Sequence, residues 1–245
     1  MTTAYLTIDD IPSKLTPSIV DFLNKKQIVP VMFCWCERIN YYRQNAIYAL
    51  KHGILIQNHS LTHPHFSELS FEQAVEEIEK AEEVLESLYK EAGVKRPFKM
   101  FRFPFGDKGG KNEAALQEYL KEHGFTQLDQ SNILPAEYEK DGSQKNQGDC
   151  YDTKWTFDYA EWRVRPNSGF SIEDSISKAN ARFGAPTSDV PESGAAPADA
   201  KAEQLILIHD HEDTENMYKG YFETLINALL VRGVRFVKPV VQQQA

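Results

Sequence analysis

Two aspartates stand side by side at the end of the first apolar run, Thr7-Ile8-Asp9-Asp10. Adjacent carboxylates repel unless something positive sits between or beside them. The pair therefore belongs either to an exposed turn or to a site where one holds a metal and the other does a different job. Neighbours on a strand point to opposite sides, so the backbone has to turn here if both serve one site. Two histidines stand four apart in His59-Ser60-Leu61-Thr62-His63, a spacing that puts both rings on one face of a helical turn. One aspartate added to them makes a His, His, carboxylate set with a position left for water. That is the donor pattern of a catalytic zinc site rather than a closed structural one. The set suits Zn2+, and Co2+, Ni2+, Mn2+ or Fe2+ could also occupy it. Alone, His-x-x-x-His is a weak signal, and Asp-Asp before Ile-Pro is also an ordinary turn. Asn58 and His65 flank the set as supporting partners or as plain loop residues.

Three further segments carry usable groups. Arg102-Phe103-Pro104-Phe105-Gly106 combines a cation, a rigid turn and backbone N–H groups. Asp158-Tyr159-Ala160-Glu161-Trp162 sets an acid beside an aromatic wall, and Leu207-Ile208-His209 ends an apolar run with a histidine. Each has an ordinary reading: a surface ion pair for Arg102, a core aromatic for Trp162, a satisfied strand-end ring for His209. All five segments in this order are harder to dismiss.

These groups need carriers. Apolar runs at residues 5–8, 28–35, 54–56, 100–103, 205–208 and 234–237 predict buried strands. The candidate groups stand at or just beyond the ends of these runs, where barrel and open α/β folds place their chemistry. Helix-period segments lie between them. The clearest is 71–89, with a capping box of Ser70 and Gln73; others span 111–123 before Gly124 and 221–231 before Gly233. This alternation predicts an α/β fold with parallel strands and crossover helices, one domain over residues 1–245. Residues 137–152 read as a long polar loop, and 184–203, rich in Pro, Ala and Gly, as a mobile, lid-like insertion.

The chain carries a formal charge of -9, which argues against nucleic acid or an anionic membrane as its main partner. No apolar run approaches the roughly 18 residues of a membrane span. Strand-like sequence begins by Tyr5, and the three cysteines suit a reducing compartment, so a cytoplasmic location is expected. Cys34 and Cys36, two apart on an apolar run, read as reduced core thiols.

The order of the five segments resembles the NodB-type polysaccharide deacetylases, the carbohydrate esterase family that removes N- or O-acetyl groups from sugars. That family's T-F-D-D-G appears as Thr7-Ile8-Asp9-Asp10-Ile11, its H-S/T-x-x-H as His59 to His63, and its R-x-P-aromatic as Arg102 to Phe105. Its D-x-x-D-W appears as Asp158 to Trp162 with Glu161 in the second acidic place, and its L-x-H as Leu207 to His209. The resemblance implies a distorted (β/α)7-like barrel with a divalent metal in its mouth. It implies Asp10, His59 and His63 as metal ligands and Asp9 as general base, with Arg102 favouring the ionised form of Asp9. His209 would be the general acid, oriented by Asp158, with Asp149 and Asp152 as rival partners. The Phe105 N–H would support the oxyanion, and Leu207 and Trp162 would line the acetyl pocket with Phe105.

The implied substrate is an acetylated sugar. Ile11 replaces the usual glycine and could shape or block the groove. Because the family is mostly exported, the expected location favours a small sugar or oligosaccharide over a wall polymer. Two other readings stand beside this one: hydrolysis of another small amide, imide or ester, and a silent sugar-binding barrel whose Trp155, Trp162, Tyr151 and Phe105 stack on rings. The sequence carries no signal of oligomeric state.

Overall fold

The computed structural model describes residues 1–139 and 150–242. Its strands are β1 (Thr2–Ile11), β2 (Val31–Cys34), β3 (Leu55–Asn58), β4 (Phe157–Asp158), β5 (Gln204–His209) and β6 (Val234–Phe236). Its helices are α1 (Thr16–Lys25), α2 (Ile39–Lys51), α3 (Phe71–Ala92), α4 (Glu113–Glu122), α5 (Pro135–Glu139), α6 (Ile172–Phe183), α7 (Glu212–Met217) and α8 (Tyr221–Leu230). Every pairing between strands is parallel, in the order β3-β2-β1-β5-β4, with β6 on the first residues of β1.

The period of two along each strand separates two layers of side chains. Leu6, Ile8, Met32, Ile56, Ile206 and Ile208 face outward into one core with the covering helices. Tyr5, Val31, Phe33, Met100 and Leu205 face inward and fill the barrel floor. By the same parity the upper inward positions fall to Thr7 and Asp9 on β1, Gln57 and then His59 after β3, and Leu207 and His209 on β5. The candidate residues are thus the inward-facing side chains that come last in chain direction on each strand.

The run at 100–103 does not pair as a regular strand. Single bridges join Asn58 to Phe101 and Phe101 to Asp152, and the chain then enters β4, which pairs with β5. The ring of parallel connections therefore closes, irregularly, as a distorted barrel. Alternation survives the lost pairing, with Met100 inward and Phe101 and Phe103 packed outward against α3 and α4. Ser70 and Gln73 form the capping box of α3, which runs past its expected end to Gly93 at φ 69°. A 3-10 turn precedes α4, which begins at Glu113 rather than Lys111.

Of the expected polar loop at 137–152, residues 140–149 lie outside the described residues. The segment 184–203 contains no helix or paired strand and is strapped to the barrel by backbone hydrogen bonds. Gly194 N donates to Lys26 O, Ala196 N to Phe236 O, and Glu203 N to Thr3 O. Thr3 and β6 mark the N-terminal end of the sheet, opposite the end that carries Asp9 and His209. A lid over those residues does not fit this placement. Among the described residues no helix is long and apolar enough to cross a membrane.

Candidate active site

The aspartate pair is turned into one site by a bulge. On β1, Ile8 pairs with Met32 and Ile11 with Cys34, three steps against two on β2. The extra residue is absorbed where Asp10 takes φ 65°, a left-handed conformation that an L side chain adopts at a cost of about 1–2 kcal/mol. Asp9 keeps its inward parity, and Asp10 is swung round beside it. Asp9 Oδ2 then lies 3.6 Å from His59 Nε2; Asp10 Oδ1 lies 3.7 Å from His59 Nε2 and 3.2 Å from His63 Nε2. Ile11 is fully buried in the outer core, so its side chain neither blocks nor shapes a groove.

The segment from His59 to His63 is a bend, not the helical turn its spacing suggested. Ser60 and His63 both have positive φ, 67° and 61°. The strain is held by side chains. Asn58 Oδ1 accepts from Ser60 N, and Ser60 Oγ accepts from His63 N. Glu77 on α3 accepts from Leu61 N, Thr62 N and the Thr62 hydroxyl. Asn58 is itself tied to Glu82, so it does support the ligand loop; His65 stacks on the Phe105 ring instead. His59 Nδ1 sits 2.7 Å from Arg102 O, which fixes Nδ1 as the protonated nitrogen and turns the Nε2 lone pair towards the carboxylates.

One donor atom each from Asp10, His59 and His63 lie within 4.8 Å of one another. Asp10 Oδ1 is buried without a hydrogen-bond partner, an orphaned acceptor of the kind a cation would satisfy. Burial lowers His59 to about 4 despite the nearby aspartates. Burial alone would raise the Asp10 carboxyl, but the hydrogen bond and charge of His63, with His209 and His59, hold it well below its usual range. Both donors thus keep the lone-pair forms that a metal requires, and the residues fit a divalent ion.

Arg102 is the largest fully buried side chain. Its Nη1 donates to Asp9 Oδ1 at 2.7 Å and to Thr7 Oγ1 at 2.9 Å, while Nε and Nη2 donate to Thr153 O and Lys154 O. The guanidinium packs between the Phe33 and Trp155 rings. Every direction of the fork is used, and removing one member of such a buried pair typically costs about 3–5 kcal/mol.

His209 ends β5 directly opposite Asp9 in register. The partner on its Nδ1 is Glu161, not Asp158. Glu161 Oε1 lies 2.9 Å from Nδ1 and also accepts from the His209 N–H at 2.5 Å. Asp158 is occupied locally: Oδ1 accepts from Ala160 N and Oδ2 from Trp162 Nε1. The turn at Ala160, φ 57°, folds the acid three residues later back onto the histidine. Asp152, the rival, bonds Gln117 and lies near Lys108; Asp149 lies outside the described residues. Burial opposes protonation of His209, yet the charge and hydrogen bond of Glu161, helped by Asp10 and Asp158, push it up to about 10.

Phe105 takes φ 58°, with its ring edge-on to His63 at 4.6 Å and 59% exposed. Leu207 is buried at inward parity beside the catalytic end of β5, and Trp162 is 38% exposed. Trp155 is buried over Arg102 and Tyr151 packs beside the α3–α4 core, so neither is placed to stack on a sugar. Two contacts escaped the sequence reading. The Trp35 ring stacks on His63 at 4.8 Å, and Arg38 Nη1 donates to Asp10 O at 2.5 Å. An aromatic and a cation just after the 28–35 run were the available signal.

A family model described as Polysaccharide deacetylase matches residues 2–128, just over half of the 245. The chain is 32% identical over 96 residues to a peptidoglycan-N-acetylmuramic acid deacetylase of Bacillus subtilis, covering 38% of this chain and 21% of that protein. It is 27% identical over 114 residues to a bifunctional xylanase/xylan deacetylase of Cellvibrio japonicus, covering 46% of this chain and 16% of that one. The chain thus matches a small part of each. Among solved structures, a family 4 carbohydrate esterase from Streptomyces lividans in complex with acetate has the same fold. Its TM-score is 0.60 at 20% identity, over 96% of this chain and 91% of that one.

Proposed function

The chain belongs to the polysaccharide deacetylase family, and from that premise we propose that it hydrolyses the acetyl amide of an N-acetylated amino sugar in an oligosaccharide or polysaccharide. The observation that carries the reading is the arrangement of proton carriers about one three-donor cluster. A carboxylate tied to a buried arginine stands on one strand, and a histidine tied to a buried acid stands opposite on the next.

Asp10, His59 and His63 would hold a divalent metal, with zinc the first candidate. When bound, such an ion supplies Lewis acidity, lowering the pKa of a coordinated water and polarising the acetyl carbonyl. The remaining steps fall to the protein. Asp9 is the base: Arg102 occupies Oδ1, which leaves Oδ2, facing the cluster, to take the proton from the attacking water. The Phe105 N–H donates to the acetyl oxygen as negative charge develops there. His209 hands the proton on Nε2 to the departing nitrogen, since an amine anion is a very poor leaving group. Glu161 on Nδ1 keeps that ring protonated and aimed. Leu207, Trp162 and Phe105 surround the acetyl methyl.

The test is acetate release from chito-oligosaccharides by metal-loaded protein, abolished by chelation and restored by added Zn2+. Asp9→Asn should lower kcat by about 10²–10⁴-fold while metal content stays unchanged. Undiminished turnover in Asp9→Asn would remove Asp9 from the mechanism, and no acetate from any acetylated sugar would remove the activity.

A further inference from the structure

A cleft of about 440 Å³ opens beside the metal cluster, between the loop that follows β2 and the loop that follows β5. Its volume is in the range of small-ligand sites. One wall begins at Trp35, whose other partner is the His63 ring, and the opposite wall at His211, two residues beyond His209. A group in this cleft would therefore sit next to the group undergoing reaction.

The lining has the chemistry of a sugar site. Tyr41 leaves its ring 80% exposed, and Tyr42 and Trp35 continue the aromatic face inward. A large ring held in water has no packing reason to be there, whereas the C–H face of a pyranose would cover it. Glu37 and Asp213 stand on the two walls with no hydrogen bond or ion pair among the described residues. They are free to accept from hydroxyl or ammonium groups.

The charges also select. Glu212 is balanced by Lys14 at 3.1 Å, and Arg38 is committed to Asp10 O with its guanidinium over the Trp35 ring. Burial lowers His211, with the His209 charge assisting, so that ring brings no positive charge; Arg165 acts on it from outside the lining. What remains unbalanced is the carboxylate pair Glu37 and Asp213.

We propose that this cleft binds the sugar residue adjoining the one deacetylated, and that it accepts a neutral or amino-bearing hexosamine and disfavours a sugar carrying a carboxylate. The proposal rests on the deacetylase reading. It makes the substrate an oligomer of at least two rings, and it sets the acceptable neighbour by charge.

Metal-loaded protein is assayed at low ionic strength with chitotetraose, a hyaluronan tetrasaccharide and free N-acetylglucosamine. The two tetrasaccharides share the acetylated sugar and differ in whether its neighbour is neutral or a uronate. The kcat/KM for chitotetraose should exceed that for the hyaluronan fragment by about tenfold, since like charges meet only in the second case. Glu37→Lys combined with Asp213→Lys should narrow that ratio, chiefly by raising turnover of the hyaluronan fragment. Tyr41→Ala should lower the ratio of chitotetraose to free N-acetylglucosamine turnover by about fivefold, the value of one stacked ring.

A charge-reversed protein with an unchanged ratio, or a Tyr41→Ala protein equally impaired on monomer and tetramer, overturns the assignment. Calorimetric binding of chitotetraose and the hyaluronan fragment to the same proteins separates the two readings. If no substrate releases acetate, the deacetylase reading falls, and the cleft still stands or falls on whether chitotetraose binds more tightly and Tyr41→Ala weakens it.

Discussion

Replacing Glu161 with glutamine removes one negative charge from beside His209 and keeps the side chain's volume. Glu161 is fully buried, and its Oε1 lies 2.9 Å from His209 Nδ1. Burial alone would lower the imidazole, yet it rises from 6.5 to about 10 because Glu161, Asp10 and Asp158 outweigh burial. A divalent ion on Asp10 cancels that carboxylate's share. The part due to Glu161 is then about two pH units, or about 2.7 kcal/mol. A raised pKa keeps the acid form to higher pH, so losing the carboxylate must move the basic limb of kcat/KM downward by about two units. Near pH 8 the variant should lose more than about tenfold in activity, and near pH 6 no more than about threefold. The same linkage acts on folding. A pair that raises a histidine stabilises the protein fully below pH 6.5, and that stability is lost as pH rises through about 10. Urea unfolding should therefore separate wild type from variant more at pH 6 than near pH 10. The assays are acetate release across pH and an NMR titration of the His209 ring. A basic limb that stays in place, or a loss of activity equal at every pH, would show that Glu161 only fills space.

Glu77→Ala frees three donors of the loop from His59 to His63, and metal affinity should fall by about tenfold, read by competition with a chromophoric chelator. A change below about twofold would mean that the loop holds its strained backbone without help. Ile11→Ala should cost about 2–5 kcal/mol in urea unfolding and leave relative rates among acetylated sugars unaltered, because the side chain lies in the outer core. A broadened substrate range in that variant would return Ile11 to the groove.

What was legible in the sequence follows from the period of two. Asp9, His59 and His209 share inward parity with apolar residues that fill the floor, so reading the strands was enough to bring them to one end of one barrel. Arg102 was legible for the same reason, even though its run makes only single bridges. What was not legible depends on backbone conformations that no local pattern announces. Asp10 joins the site through a bulge, and a bulge is a relation between β1 and β2 rather than a property of either. Glu161 displaces Asp158 as the histidine's partner because Ala160 turns left-handed; with an extended backbone there, the order of the two acids along the chain favours neither. The strap at 184–203 looked like a lid because composition reports freedom from regular structure, not where a segment is fastened. Trp35, Tyr41 and Tyr42 were passed over because each lies beyond the end of an apolar run, where an aromatic ring reads as incidental.

These omissions share a physical cause. The inward-facing strand residues set the chemistry, and their positions are fixed by repetition. The residues that aim the chemistry and choose its neighbour lie on turns where one left-handed residue redirects everything after it. At Asp10, His63, Phe105 and Ala160 the protein uses such a residue next to a group in the site. Each is less favourable than glycine would be, so each must be held by neighbours, as Glu77 and Asn58 hold the bend that ends at His63. Strain that persists at four points around one cluster is strain the surrounding packing over-determines. The geometry of the cluster is therefore built into the fold before any ion or sugar arrives.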